Sequence, residues 1–235
     1  MTPTTSEAGV AAQLHDRGRS TWEAAHHHPM IVEIGSGTLP HETFRFYFEQ
    51  NVMYLEDYAR AIAFILAKAP DVDTLRVLGR FLQQIVENEI PANLEFLTRL
   101  GGVPHANALS AMGPVNYGYT RHLLFATSHG SPATGLTAIL PCQWSYGEIA
   151  SRLAVRAPED QIYADWISLF ANPTYDALVA DSVTLLDRLA SEEALSVDAL
   201  APTFDWSSRF EVAFWQMAYS RGADNAVTRA ELDEV

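Results

Sequence analysis

The chain has 235 residues, 48% of them apolar and 19% charged, the balance of a globular protein with a sizeable core. Its net charge of −14 argues against the clustered Lys and Arg that nucleic-acid phosphates require, and against docking on an anionic membrane surface. No uncharged apolar run reaches the roughly 18 residues of a bilayer span, Met1 to Gly9 lacks the order of a signal peptide, and a single cysteine fits a reducing compartment, so a cytoplasmic location is expected.

In chain order, residues 1–10 read as a disordered tail, 11–222 as one helical domain and 223–235 as a second tail. Ala11 to Ala25 has a weak helical pattern that His28-Pro29 interrupts. A short apolar stretch, Met30 to Ile34, ends at Gly35-Ser36-Gly37, a breaker. Leu39-Pro40-His41-Glu42 opens a long segment in which Phe44, Phe48, Val52, Leu55, Tyr58 and Ile62 recur every three or four residues, a helical period, and Pro70 stops it. Asp71 to Leu100 repeats the period through Leu75, Leu78, Leu82, Ile85 and Val86, with Gly101-Gly102 as a C-terminal signal. Pro91 lies inside that segment and predicts a kink or a break.

After a loop from Val103 to Gly113, further helices are predicted up to His129 and over Pro132 to Val155, Tyr163 to Phe170, Thr174 to Ala190 and Ser196 to Ser220. No run alternates apolar and polar residues between Asn-Gly or Asp-Gly turns, so no strand is predicted. The expected fold class is all-α, a single-domain bundle of about eight to ten helices.

The lone cysteine, Cys142, stands in Leu140-Pro141-Cys142-Gln143-Trp144-Ser145-Tyr146. It has no intramolecular disulfide partner, so it is either a packed core thiol or a nucleophile. Pro141 predicts a bend with a freed carbonyl at its depth. Tyr146, four residues on, shares its face. Late in the chain, Glu211 and Phe214 share another. A glutamate buried among aromatics would have its pKa raised and suit proton transfer near neutral pH, although spacing alone favours a surface glutamate. Asn51 and Tyr54 share a face of the first long helix; an Asn there calls for a partner, by default a structural one. Tyr117-Gly118-Tyr119 offers rings that serve equally in a core or against a planar ligand. His26-His27-His28 would point in three directions on a helix and chelate poorly. Glu87, Asn88 and Glu89 lack the Glu-x-x-His spacing of a di-iron bundle, so no metal and no cofactor are expected.

Taken together, His28-Pro29, Gly37-Thr38-Leu39-Pro40, Phe44-Arg45-Phe46-Tyr47-Phe48-Glu49-Gln50-Asn51, Tyr54-Leu55, Leu140-Pro141-Cys142, Trp144-Ser145-Tyr146-Gly147-Glu148-Ile149, Tyr163-Ala164-Asp165-Trp166-Ile167 and Glu211-Val212-Ala213-Phe214-Trp215-Gln216-Met217-Ala218 resemble the TenA, or thiaminase II, family over about residues 20 to 220. The resemblance implies a haem-oxygenase-like helical fold without haem, a homotetramer, and a site for 4-amino-2-methylpyrimidines. The implied reaction is hydrolytic release of a group from the 5-methylene carbon, converting the aminomethyl pyrimidine to the hydroxymethyl pyrimidine and ammonia, with thiamin as a further substrate of many members.

Carried over by position, Cys142 matches the family nucleophile and Glu211 the acid/base. Tyr146 and Tyr119 match tyrosines near the ring and thiol, and Tyr54 and Phe214 match pocket-wall aromatics. One position departs: where the family reads Gln-Asp, this chain reads Gln50-Asn51. The family's aspartate contacts the aminopyrimidine edge, and asparagine keeps hydrogen-bonding capacity but not the charge. The chain is therefore expected to be a weaker salvage hydrolase, or to bind a heterocycle of altered pattern with little activity. A metal-dependent oxidase lacks its carboxylate-histidine spacing, and a transcription regulator lacks a basic helix.

Overall fold

The computed structural model describes residues 8–104 and 111–223, which form eleven α-helices and no strand. The ends expected as tails lie largely outside the described residues, as does most of the loop before residue 111. Three short helices lead: α1 (Val10–Arg17), α2 (Arg19–His26) and α3 (Pro29–Ser36). The weak pattern over Ala11 to Ala25 is thus two helices, broken at Gly18. The Met30 to Ile34 stretch is itself helical, and the stop falls at Gly37, whose φ of 72° closes α3. Gly35 sits within α3 because the Leu153 side chain occupies the place its Cβ would take.

The first long segment is α4 (His41–Leu66), followed by α5 (Val72–Gln83) and α6 (Ile90–Arg99). Between the last two runs a π-helical turn, Gln84–Glu89. Pro91 explains it: without an N–H it cannot close the preceding α-turn, and the chain widens by a residue just before it. Then come α7 (Pro114–His129), α8 (Pro132–Ala154), α9 (Gln161–Phe170), α10 (Pro173–Glu192) and α11 (Val197–Tyr219). Their starts follow capping chemistry. Asp71, Ser131, Asp160, Asn172 and Ser196 each accept a backbone N–H through the side chain, and proline fills the first turn of α3, α6, α7, α8 and α10.

Every pair among α4, α7, α8 and α11 is in contact, and these four make the central bundle. The other helices lie around it, α5 and α6 against α4, α9 and α10 against α8, and α2 and α3 against α11. Close approach needs small residues: a Cβ on Gly135 of α8 would meet Ile65 of α4 at 2.9 Å. The core is strongly aromatic, with Tyr47 stacked on Trp215 at 5.4 Å between ring centroids. Gln50 of α4 fixes the start of α7, its amide donating to the Ala111 carbonyl at 3.0 Å and accepting from Gly113 N at 2.9 Å. That contact sets where Tyr119, six residues into α7, enters the bundle.

Candidate active site

Pro141 removes a hydrogen bond from the middle of α8, and tyrosines brace the helix there. The Tyr58 hydroxyl donates to the Ile139 carbonyl at 2.7 Å and the Tyr175 hydroxyl to the Gln143 carbonyl at 3.0 Å, tying α4 and α10 to α8 on either side of Cys142. Cys142 is half-buried. With Tyr146, one turn on, it lines a tight cleft with a free volume of about 10 Å³, whose other walls include Asn51, Tyr54 and Tyr58 of α4, Glu89 of the π turn and Tyr175 of α10. That is room for about one water molecule, far below the roughly 300 Å³ or more of an open ligand site. The cavity is narrow, so a heterocycle entering it must part the aromatic walls. Larger depressions, such as the one bounded by Arg80, Gln84 and Asp181, lie on the open surface and hold no buried carboxyl.

Glu211 is 4% exposed, which overturns the surface position that spacing alone favours. The Tyr119 hydroxyl donates to its Oε1 at 2.5 Å. Burial pushes the Glu211 carboxyl up to about 7, with hydrogen bonds from Tyr119 and then Cys142 pulling the other way. The Cys142 thiol is pushed well above its ordinary value, first by burial and next by the charge of Glu211, while hydrogen bonding with Tyr54 and Tyr58 favours its thiolate. The Tyr54 hydroxyl is buried with no hydrogen-bond partner, so it is free to turn toward charge that develops at the sulfur. Thiol and carboxyl thus influence each other: the charge of Glu211 raises the thiol, and a hydrogen bond from Cys142 lowers the carboxyl.

Cys142 stands on the wall of this cavity and Glu211 behind it, and the sequence profile of the TENA/THI-4/PQQC family matches residues 15–221. The chain belongs to this family. It is 32% identical over 218 residues to an aminopyrimidine aminohydrolase of Halalkalibacterium halodurans, covering 89% of this chain and 95% of that protein. Among solved structures it superposes with a TM-score of 0.81 on a TenA homologue from P. horikoshii OT3, 30% identical, covering 92% of this chain and all of that one. A domain of unknown function with a heme oxygenase-like fold from Shewanella denitrificans matches at TM-score 0.61 and 13% identity, covering 92% of this chain and 97% of that one. The all-α, haem-oxygenase-like fold expected from the sequence is the fold of this family member.

The family positions fall into two groups. Cys142, Tyr146, Tyr54 and Asn51 line the cavity. Tyr119, Glu211 and Phe214 stand behind it: Tyr119 reaches Glu211, and the Phe214 ring packs edge-on against Tyr54 at 5.6 Å. Asn51 has the structural partner its helix position calls for, donating to Asn93 Oδ1 at 2.9 Å, while Asn93 donates to the Glu89 carbonyl at 2.7 Å. The three histidines diverge. His26 approaches Glu148, His27 turns back to Glu23, and His28 caps α3 by accepting from Met30 N.

Sequence reasoning did not find Glu89, Tyr58 or Tyr175 as cavity residues. Glu89 carried a readable signal, because it extends the buried stripe of Leu78, Phe81 and Ile85 at the next helical step. It is 6% exposed, and burial pushes its carboxyl up to about 8, with a hydrogen bond from Gln84 opposing. Its folded pKa lies above the unfolded value of 4.5, so the folded state binds this proton more tightly. Stability falls as pH rises from about 4.5 to about 8, and the loss is complete above that. Glu89→Gln, of equal shape and without charge, is expected to raise the melting temperature at pH 9 and leave it nearly unchanged at pH 4; calorimetry at both pH values measures this.

Proposed function

We infer that this protein hydrolyses 4-amino-5-aminomethyl-2-methylpyrimidine to the hydroxymethyl pyrimidine and ammonia, a thiamin-salvage reaction, with thiamin as a second substrate. The observation that carries the reading is the Cys142 thiol on the wall of an aromatic cavity with the buried Glu211 carboxyl, held by Tyr119, behind it. The naming of its relatives as aminopyrimidine aminohydrolases supports the same substrate class.

In the proposed course, the Glu211 carboxylate takes the thiol proton, and the Cys142 thiolate adds to the ring carbon beside the one bearing the methylene. The electron pair gained by the ring expels the amino group from the methylene as Glu211 returns its proton, and ammonia leaves. Water then adds to the exocyclic methylene, its proton going to Glu211, and loss of the sulfur restores the aromatic ring. Sulfur takes the proton back, so that substrate and water give product and ammonia with the enzyme unchanged. Tyr119 holds the carboxyl throughout, and the tyrosines beside sulfur stabilise the thiolate. The aromatic walls keep bulk water from the covalent adduct. A homotetramer, the implied assembly, belongs to the same proposal.

The test is incubation with the aminomethyl pyrimidine and with thiamin, measuring ammonia and hydroxymethyl pyrimidine together. Equal amounts of the two from the first substrate are expected. Tight binding of the pyrimidine with no turnover would instead identify a binding protein on this scaffold.

A further inference from the structure

Glu89 is a buried carboxyl without an explained purpose. Its Oε1 has no hydrogen-bond partner, it is 6% exposed, and it borders the same cavity as Cys142. Among the described residues, the side chains lining that cavity are aromatic, aliphatic, amide or thiol, and none is a cation that would neutralise it. An unmet acid in such a place costs stability, and the π turn that carries it is a feature often found at functional sites. Asn51, on the facing helix, has its amide N–H engaged with Asn93 and brings no charge. Glu89 is thus the acid available to a ligand in this cavity, apart from the Glu211 carboxyl already paired with Tyr119.

A carboxylic acid places an O–H donor and a carbonyl acceptor side by side. That pattern is complementary to a heterocycle edge on which an exocyclic amine adjoins a ring nitrogen: the amine donates to the carbonyl oxygen and the nitrogen accepts from, or takes, the acid's proton. Proton transfer leaves a carboxylate facing a cationic ring, which strengthens both hydrogen bonds and makes the ring a better acceptor for a thiolate.

We propose that Glu89 is the group that recognises the amino-and-nitrogen edge of the substrate's pyrimidine and supplies the charge absent at Asn51. This rests on the reading of the cavity as an aminopyrimidine site. In that reading Glu89 orients the ring so that its methylene-bearing side meets Cys142, and the departure at Asn51 is compensated by a carboxyl from another helix. The same geometry gives selectivity, since a ring without the exocyclic amine leaves the Glu89 carbonyl unmet.

The experiment is a cycle of two ligands and three proteins, read by titration calorimetry. The ligands are 4-amino-5-hydroxymethyl-2-methylpyrimidine and its analogue lacking the 4-amino group; the proteins are the native chain, Glu89→Gln and Glu89→Met. The native chain is expected to prefer the amino ligand by about 100-fold or more, two hydrogen bonds to a charged group being at stake. Glu89→Gln should retain part of that preference, because its amide keeps a donor and an acceptor, and lose about tenfold through the missing charge. Glu89→Met should bind the two ligands alike. If Glu89→Met weakens both equally, or weakens neither, Glu89 does not read the edge and the proposal is overturned while the aminopyrimidine reading stands. If the native chain binds neither ligand, that reading fails and this one with it. Melting temperatures of the variants at pH 4 show that the fold is intact.

Discussion

Cys142→Ser is expected to lower the rate of ammonia release by at least about 10³-fold while leaving the affinity for hydroxymethyl pyrimidine within a few fold. A serine hydroxyl fits the same space and keeps the neighbours hydrogen-bonded, so the cavity is preserved. What changes is the nucleophile. Glu211, at about 7, can accept a proton from a thiol that Tyr54 helps to ionise, but is far too weak a base for an alcohol. Single-turnover assays beside calorimetry separate the two effects. Turnover within tenfold of the native rate would mean that water attacks directly and that the thiol is only part of the wall.

Glu211→Gln is expected to cost about 10²- to 10⁴-fold in kcat, the usual contribution of a positioned acid or base, and to change the pH profile in a specific way. In the native enzyme the carboxylate must be free to accept the thiol proton, so kcat/KM should rise with pH through about 7. The glutamine variant has no group titrating there and should lose that limb. Stability moves with the opposite sign. Because burial raises the carboxyl above its unfolded value of 4.5, the native fold weakens as pH rises from about 4.5 to about 7, and Glu211→Gln should flatten this slope. An unchanged rising limb in the variant would assign the titration to another group.

The parts of this site that were legible in the sequence are those fixed by helical spacing. Cys142 and Tyr146 are one turn apart on α8 and reach the same cavity, and Asn51 and Tyr54 do so from α4. The burial of Glu211 was not legible from spacing, because it depends on residues from helices distant in sequence, such as Tyr119, 92 residues away. Family likeness pointed to this position where periodicity could not. Asn51 and Asn93 pair across 42 residues, which no local pattern reveals. Glu89 was overlooked for a different reason: a charged residue in a buried stripe reads as the stripe's end, whereas the π turn before Pro91 carries the stripe onward. At the chain start, a single glycine at 18 divided what periodicity reads as one helix, and the apolar run after Pro29 was too short to show a period, so the helices number more than expected.

The double-variant cycle on the Cys142 and Glu211 pair bears most directly on the mechanism, measured as ammonia released from the aminomethyl pyrimidine by the native enzyme, Cys142→Ser, Glu211→Gln and the two together. A proton-sharing unit predicts that the double variant is no slower than the slower single one, because either change already disables the pair. Losses that multiply in the double variant would show that thiol and carboxyl act independently, and the mechanism built on their coupling would be wrong.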